Sequence, residues 1–129
     1  MNVSGSNESR HERRKYMRVD IYAVTRYFCP VRKQEVGIQT RLSDISEGGA
    51  KLLTFEEGIP MGSEVSLTFI LPTPKEDTVT IKGRVCHSGV FEEGTSPTQT
   101  LFRSGIEFIK LNPKARKTIA DYIASQPKH

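Results

Sequence analysis

The sequence predicts an all-β fold finished by one helix, most economically a six-stranded antiparallel β-barrel. Three observations predict it. Six runs of alternating apolar and polar residues recur at a spacing of about 8–12 residues, with turn-forming stretches between them. A single helical pattern follows the last run. Closure of such a sheet removes exposed edges, which favours a barrel over an open sandwich.

The chain has 129 residues, enough for one domain with a sizeable core. Residues 1–11 are polar, small and without periodicity, and are expected to be disordered. Residues 12–18, "ERRKYMR", form a basic leading arm, and the barrel is expected over 19–111. The first strand reads "VDIYAVTRYFC", with Val19, Ile21 and Ala23 on one face. "PVRKQE" turns the chain, and "VGIQTRLSDIS" alternates Val36, Ile38, Thr40 and Leu42 against Gly37, Gln39 and Arg41. After "EGG" the third strand is "AKLLTF". "SEVSLTFIL" follows a loop and points Val65, Leu67, Phe69 and Leu71 inward. "TVTIKGRVCHSGVF" is a long strand whose Gly83 signals a bulge or bend. "TLFRSGIEFIKL" is the last, with Gly105 marking a bend or a close approach. Asn112 is a good N-cap and Pro113 suits the first helical position, so a helix is expected over 112–125. Ala115, Ile119, Tyr122 and Ile123 share its buried face.

Charge is unevenly placed. The net of +4 divides into +3 over residues 1–18, +3 over 112–129 and −2 over the body between them. A general nucleic-acid binder spreads its cations over one face of the body. Positive charge gathered on one arm suits a compact anion better. No stretch is long and apolar enough to span a membrane, and neither a secretory signal nor a lipidation box is evident, so a cytoplasmic location without a membrane anchor is expected. Cys29 and Cys86 fall in separate strand-like runs and read as small half-buried thiols.

Two stretches carry chemistry. In "ERRKYMR", Arg13, Arg14 and Arg18 outnumber Lys15. Arginine's planar fork pairs bidentately with phosphate or with the guanine O6/N7 edge, whereas a run serving only solubility has no need of it. A solvated basic face is the plainer alternative. In "SDISEGGA", Asp44 and Ser46 emerge on one side of a strand end, and Gly48 and Gly49 permit positive φ that would turn amides toward a ligand. The plainer alternative is a tight turn in which Asp44 bonds its own backbone.

Arg14-x-x-x-Arg18 followed by Asp44-x-Ser46-x-x-Gly49 resembles the paired RxxxR and [DN]xSxxG signature of the PilZ domain family. "SGIEF" at 104–108 and the terminal helix are also similar to that family, and the resemblance covers nearly the whole chain. It implies a single-domain, six-stranded barrel that binds cyclic di-GMP and acts as a second-messenger receptor or adaptor. The implied ligand contacts are Arg14 and Arg18 on phosphate and guanine, and Asp44, Ser46 and Gly49 on a guanine edge and the sugar-phosphate. Arg13 is a further expected contact, with Lys15, Gly48 and His87 as auxiliaries. No tryptophan is present to stack on the outer guanine, and His87 is either its substitute or an ordinary surface residue.

Catalysis has no support: GxSxG, HExxH and P-loop patterns are missing, and the three histidines are scattered. No metal and no cofactor are expected, and the protein reads as a receptor for a ligand, with a downstream protein partner that the residues do not identify. Two other readings stay open. One is a barrel that keeps the signature but works as a protein adaptor in pilus or flagellar control without nucleotide. The other is a nucleic-acid-binding barrel, which would need stacking aromatics across a strand face.

Overall fold

The computed structural model describes residues 17–30, 38–55, 58–96 and 99–126. Six strands run in chain order: β1 (Val19–Phe28), β2 (Ile38–Ile45), β3 (Gly49–Phe55), β4 (Glu64–Ile70), β5 (Thr78–Glu92) and β6 (Leu101–Lys110). One helix, α1 (Pro113–Ala124), ends the described chain. All neighbouring strands are antiparallel and close into a barrel in the order β1-β2-β3-β6-β5-β4. The expected six-stranded barrel with a C-terminal helix is the fold.

Alternation places the core. Ile21, Ala23, Thr25 and Tyr27 point inward from β1, as do Val65, Leu67 and Phe69 from β4 and Val79, Ile81 and Val85 from β5. Each buried Leu, Ile, Val or Phe removes apolar surface worth roughly 1.5–3 kcal/mol. Asn112 caps α1 by accepting the Ala115 amide at 2.7 Å on its side-chain oxygen. The helix then buries Ala115, Ile119, Tyr122 and Ile123 in the same core.

Three local expectations change. β1 stops at Phe28, so Cys29 lies just beyond the strand and is fully buried, while Cys86 on β5 is exposed. Neither thiol is half-buried. β2 does not alternate to its end: a bulge between Leu42 and Asp44 inserts Ser43, so that Leu42 and Ile45, three apart, both reach the core. The left-handed backbone expected around Gly48 and Gly49 is not adopted; among the described glycines, positive φ occurs at Gly62. The expected disordered segment 1–11 and most of the arm, including Arg13, Arg14 and Lys15, lie outside the described residues.

Candidate functional site

The β2 bulge decides where Asp44 points. With Ser43 inserted, Asp44 stands opposite Lys51 on β3 and opposite Asp20 on β1, on the outer surface, while Ile45 pairs with Ala50 facing the core. The turn that follows is closed by Ser46 rather than by Asp44. The Ser46 amide donates to the Gly49 carbonyl at 2.8 Å. The Ser46 hydroxyl accepts the Gly48 and Gly49 amides, each at 3.2 Å, and donates to the Gly49 carbonyl at 3.3 Å. A hydroxyl has one proton and two lone pairs, so this one is fully engaged in holding the turn.

Gly49 answers to a different constraint. β3 crosses β6 so closely here that a Cβ on Gly49 would stand 2.3 Å from the Ile106 carbonyl oxygen. That obstacle is backbone and cannot swing aside. The Phe108 amide also donates to the Gly48 carbonyl at 3.0 Å, tying the turn to β6 from the other side. Glycine is required at 49 for close approach, not for a left-handed conformation.

Beside this turn lies an open cleft of about 280 Å³. Its lining includes Arg18, Asp44, Ser46, Gly48 and Gly49 from the two motifs, together with Lys51, Cys86, His87, Gly105 and Glu107. Every expected site residue within the described chain therefore lines one cavity. Arg13, Arg14 and Lys15 lie outside the described residues.

Lys51, Cys86, Gly105 and Glu107 were not expected as site residues. Lys51 was within reach of sequence reasoning: counting outward from the Ser46–Gly49 turn, a regular hairpin places Asp44 and Lys51 as partners. Gly105, expected to mark a bend or a close approach, lies against the His87 ring. A Cβ at 105 would lie 2.2 Å from His87 Nε2 and under 3 Å from two of its ring carbons. The imidazole lies across β6 where Gly105 leaves room. Cys86 Sγ donates to the Gly105 carbonyl at 3.3 Å on the same strand pair.

The cleft lining carries both signs, Arg18 and Lys51 against Asp44 and Glu107. Burial lowers the Lys51 pKa from its ordinary 10.5, and the Arg18 charge lowers it further; Asp44 opposes this, and Arg103 adds to the lowering. His87 is likewise lowered from 6.5, first by burial and then by Lys51, Arg103 and Arg18, with Asp44 again opposing. Arg103 itself lies over the Phe91 ring, 4.6 Å from its centroid. Among the described residues, no group of three or more His, Cys, Asp or Glu is arranged to hold a metal ion. None of the described helices is long and apolar enough to cross a membrane.

A closed six-stranded barrel with a late helix, and a cleft at the β2–β3 turn where a DxSxxG stretch meets an arginine ahead of β1, define the class: a small β-barrel domain with a cleft at one hairpin. The chain belongs to the PilZ domain family, whose model matches residues 12–125. Solved structures agree in fold. The inhibitor of motility from Bacillus subtilis (MotI/DgrA) matches with a TM-score of 0.66 at 20% identity, over 85% of this chain and 48% of that one. The PilZ domain of YcgR from Escherichia coli, solved with c-di-GMP, matches with a TM-score of 0.63 at 18% identity, over 88% of this chain and 90% of that one. The PlzA protein of Borreliella burgdorferi, solved in complex with c-di-GMP, matches with a TM-score of 0.55 at 9% identity, over 98% of this chain and 60% of that one. This chain thus spans about half of the Bacillus protein's length and nearly all of the isolated Escherichia domain. No curated protein matches the sequence.

Proposed function

We propose that the chain is a receptor for cyclic di-GMP, held in the cleft beside the β2–β3 turn, and that binding passes a signal to a protein partner. The observation that carries this reading is the convergence of Arg18, Asp44, Ser46 and Gly49, from two separate motifs, on one cleft that Lys51 and His87 also line. Two of the solved relatives contain the same nucleotide. The chemistry fits: the ligand brings two phosphates and two guanines. Guanidinium forks pair with phosphate oxygens and with O6/N7, and the Asp44 carboxylate accepts from guanine N–H groups.

In this reading residues 12–18 form the arm, 19–111 the barrel and 112–125 the packed helix. Arg14 and Arg18 grip phosphate and guanine from the arm, with Arg13 and Lys15 adding contacts. Ser46 acts first by setting the turn, since its hydroxyl is committed to Gly48 and Gly49. The arm orders on the nucleotide, and that change of surface is the output. The role is that of a receptor and adaptor rather than a catalyst, in the cytoplasm.

Calorimetric titration of the intact chain with cyclic di-GMP tests this. Saturable binding, in a roughly micromolar or tighter range, is expected, and it should vanish in Arg18→Ala with the barrel still folded by circular dichroism. An intact chain that gives neither heat nor spectral change in excess nucleotide overturns the proposal and leaves the nucleotide-free adaptor.

A further inference from the structure

One row of residues crosses four strands on the outer face of the barrel: Asp44 on β2, Lys51 on β3, Gly105 on β6 and His87 on β5. Each is the direct register partner of the next. Side chains in such a row normally stand side by side. Here the third position is empty, and the His87 ring fills the space over it. The consequence is that His87 and Lys51, two strands apart in one row with a glycine between them, both line the wall of the cleft. Neither belongs to the RxxxR or DxSxxG motif.

Resting on the proposed function, we propose that Lys51 and His87 form a second anion-holding pair in the cleft, which grips the nucleotide and takes up a proton as it does so. The charges around His87 set the sign. Lys51 on β3, Arg103 on β6 and Arg18 ahead of β1 disfavour its cation, while Asp44 on β2 favours it. Glu107 on β6 lines the same cleft, and Cys86 is its neighbour on β5. In the free chain burial and those cations keep His87 below 6.5. A phosphate arriving between the cations cancels their repulsion and supplies an acceptor for the imidazolium. The complex then holds more protons than the free chain, so affinity rises as pH falls through the interval between the free and bound values of His87. Lys51, lowered from 10.5 by burial and by Arg18, extends the same linkage into alkaline solution. The receptor therefore reads nucleotide and proton together.

Calorimetry of the intact chain with cyclic di-GMP, in buffers of small and of large ionisation heat across pH 5.5 to 8.5, tests the pair. Uptake of a fraction of a proton up to about one per nucleotide is expected near neutrality, with affinity changing by no more than about tenfold per pH unit. His87→Gln should flatten the neutral part of that profile and abolish the uptake there. Lys51→Met should weaken binding about ten- to a hundredfold, the worth of one charge-assisted hydrogen bond. Gly105→Ala, which displaces the ring, should move the profile toward that of His87→Gln. Binding that is indifferent to buffer and pH overturns the pair and leaves the receptor function standing. Uptake that persists in His87→Gln also overturns it, since the proton then goes elsewhere. An intact chain that fails to bind at every pH is the separate outcome that overturns the receptor function itself.

Discussion

Two outward-facing rows on this barrel have the same construction and opposite character. On one side, Gln39, Arg26, Thr68 and Thr80 are successive partners across β2, β1, β4 and β5. On the other, Asp44, Lys51, Gly105 and His87 cross β2, β3, β6 and β5. In the first row Thr68 and Thr80 hydrogen-bond each other at 3.2 Å, side chains satisfying side chains on a wet surface. In the second, the His87 ring takes the place of a missing side chain, and three cations bear on that imidazole against one carboxylate. A surface that exists only to be solvated has no reason to hold like charges together against their repulsion. The contrast sets the second row apart by the charges gathered around it, Lys51 and Arg103 from outside the motifs among them.

That contrast can be broken or sharpened by substitution. The largest effect is expected at Arg18. Arg18→Ala should cost more than about a hundredfold in cyclic di-GMP affinity, the loss of a forked pair of charge-assisted bonds, measured by calorimetry. Next is Gly49→Ala, whose Cβ must displace the β6 backbone at Ile106. It should destabilise the barrel by about 1–3 kcal/mol in urea unfolding and weaken binding with it. Asp44→Ala should weaken binding about tenfold or more. The same change should lower the His87 pKa further, because Asp44 is the group that raises it, and NMR titration of the imidazole reads this directly. A smaller effect is expected in the pH dependence of stability. His87 binds protons less readily folded than unfolded, so the ligand-free chain should lose stability as pH falls below about 6.5, more gently in His87→Gln. The smallest belongs to the quiet row: Thr68→Val with Thr80→Val should stay within about 0.5 kcal/mol per site and leave binding untouched. A strong binding defect there would erase the distinction between the two rows.

Much of the barrel was legible because period-two alternation is a direct consequence of strand geometry. Val65, Leu67, Phe69 and Leu71 are all buried as expected, and Asn112 caps α1 as its position before Pro113 foretold. What escaped was whatever depends on a count of residues in a neighbouring strand. The extra residue at Ser43 cannot be read from β2 alone, because a bulge is a mismatch between two strands. Lys51 is a different case: the hairpin count reaches it, but it lies beyond the motif that announces the site, on the return strand. The two glycines of the turn were noticed, but their purpose at the sequence level was conformational freedom. In the folded chain the demand at Gly49 is steric and comes from β6, more than fifty residues downstream in the sequence. Cys86 was grouped with Cys29 by composition, and only the register separates an interior thiol from one at a cleft wall.

The contact between Gly49 and the Ile106 carbonyl has a mechanical corollary. Two main chains that touch leave no slack, and the Phe108–Gly48 hydrogen bond fastens the same joint a second time. The rim beside the cleft is thus a fixed platform, held through backbone at two points. In the proposed receptor, adaptation to a guest then falls to the side chains above that platform, such as Lys51 and His87, and not to the barrel backbone beneath them.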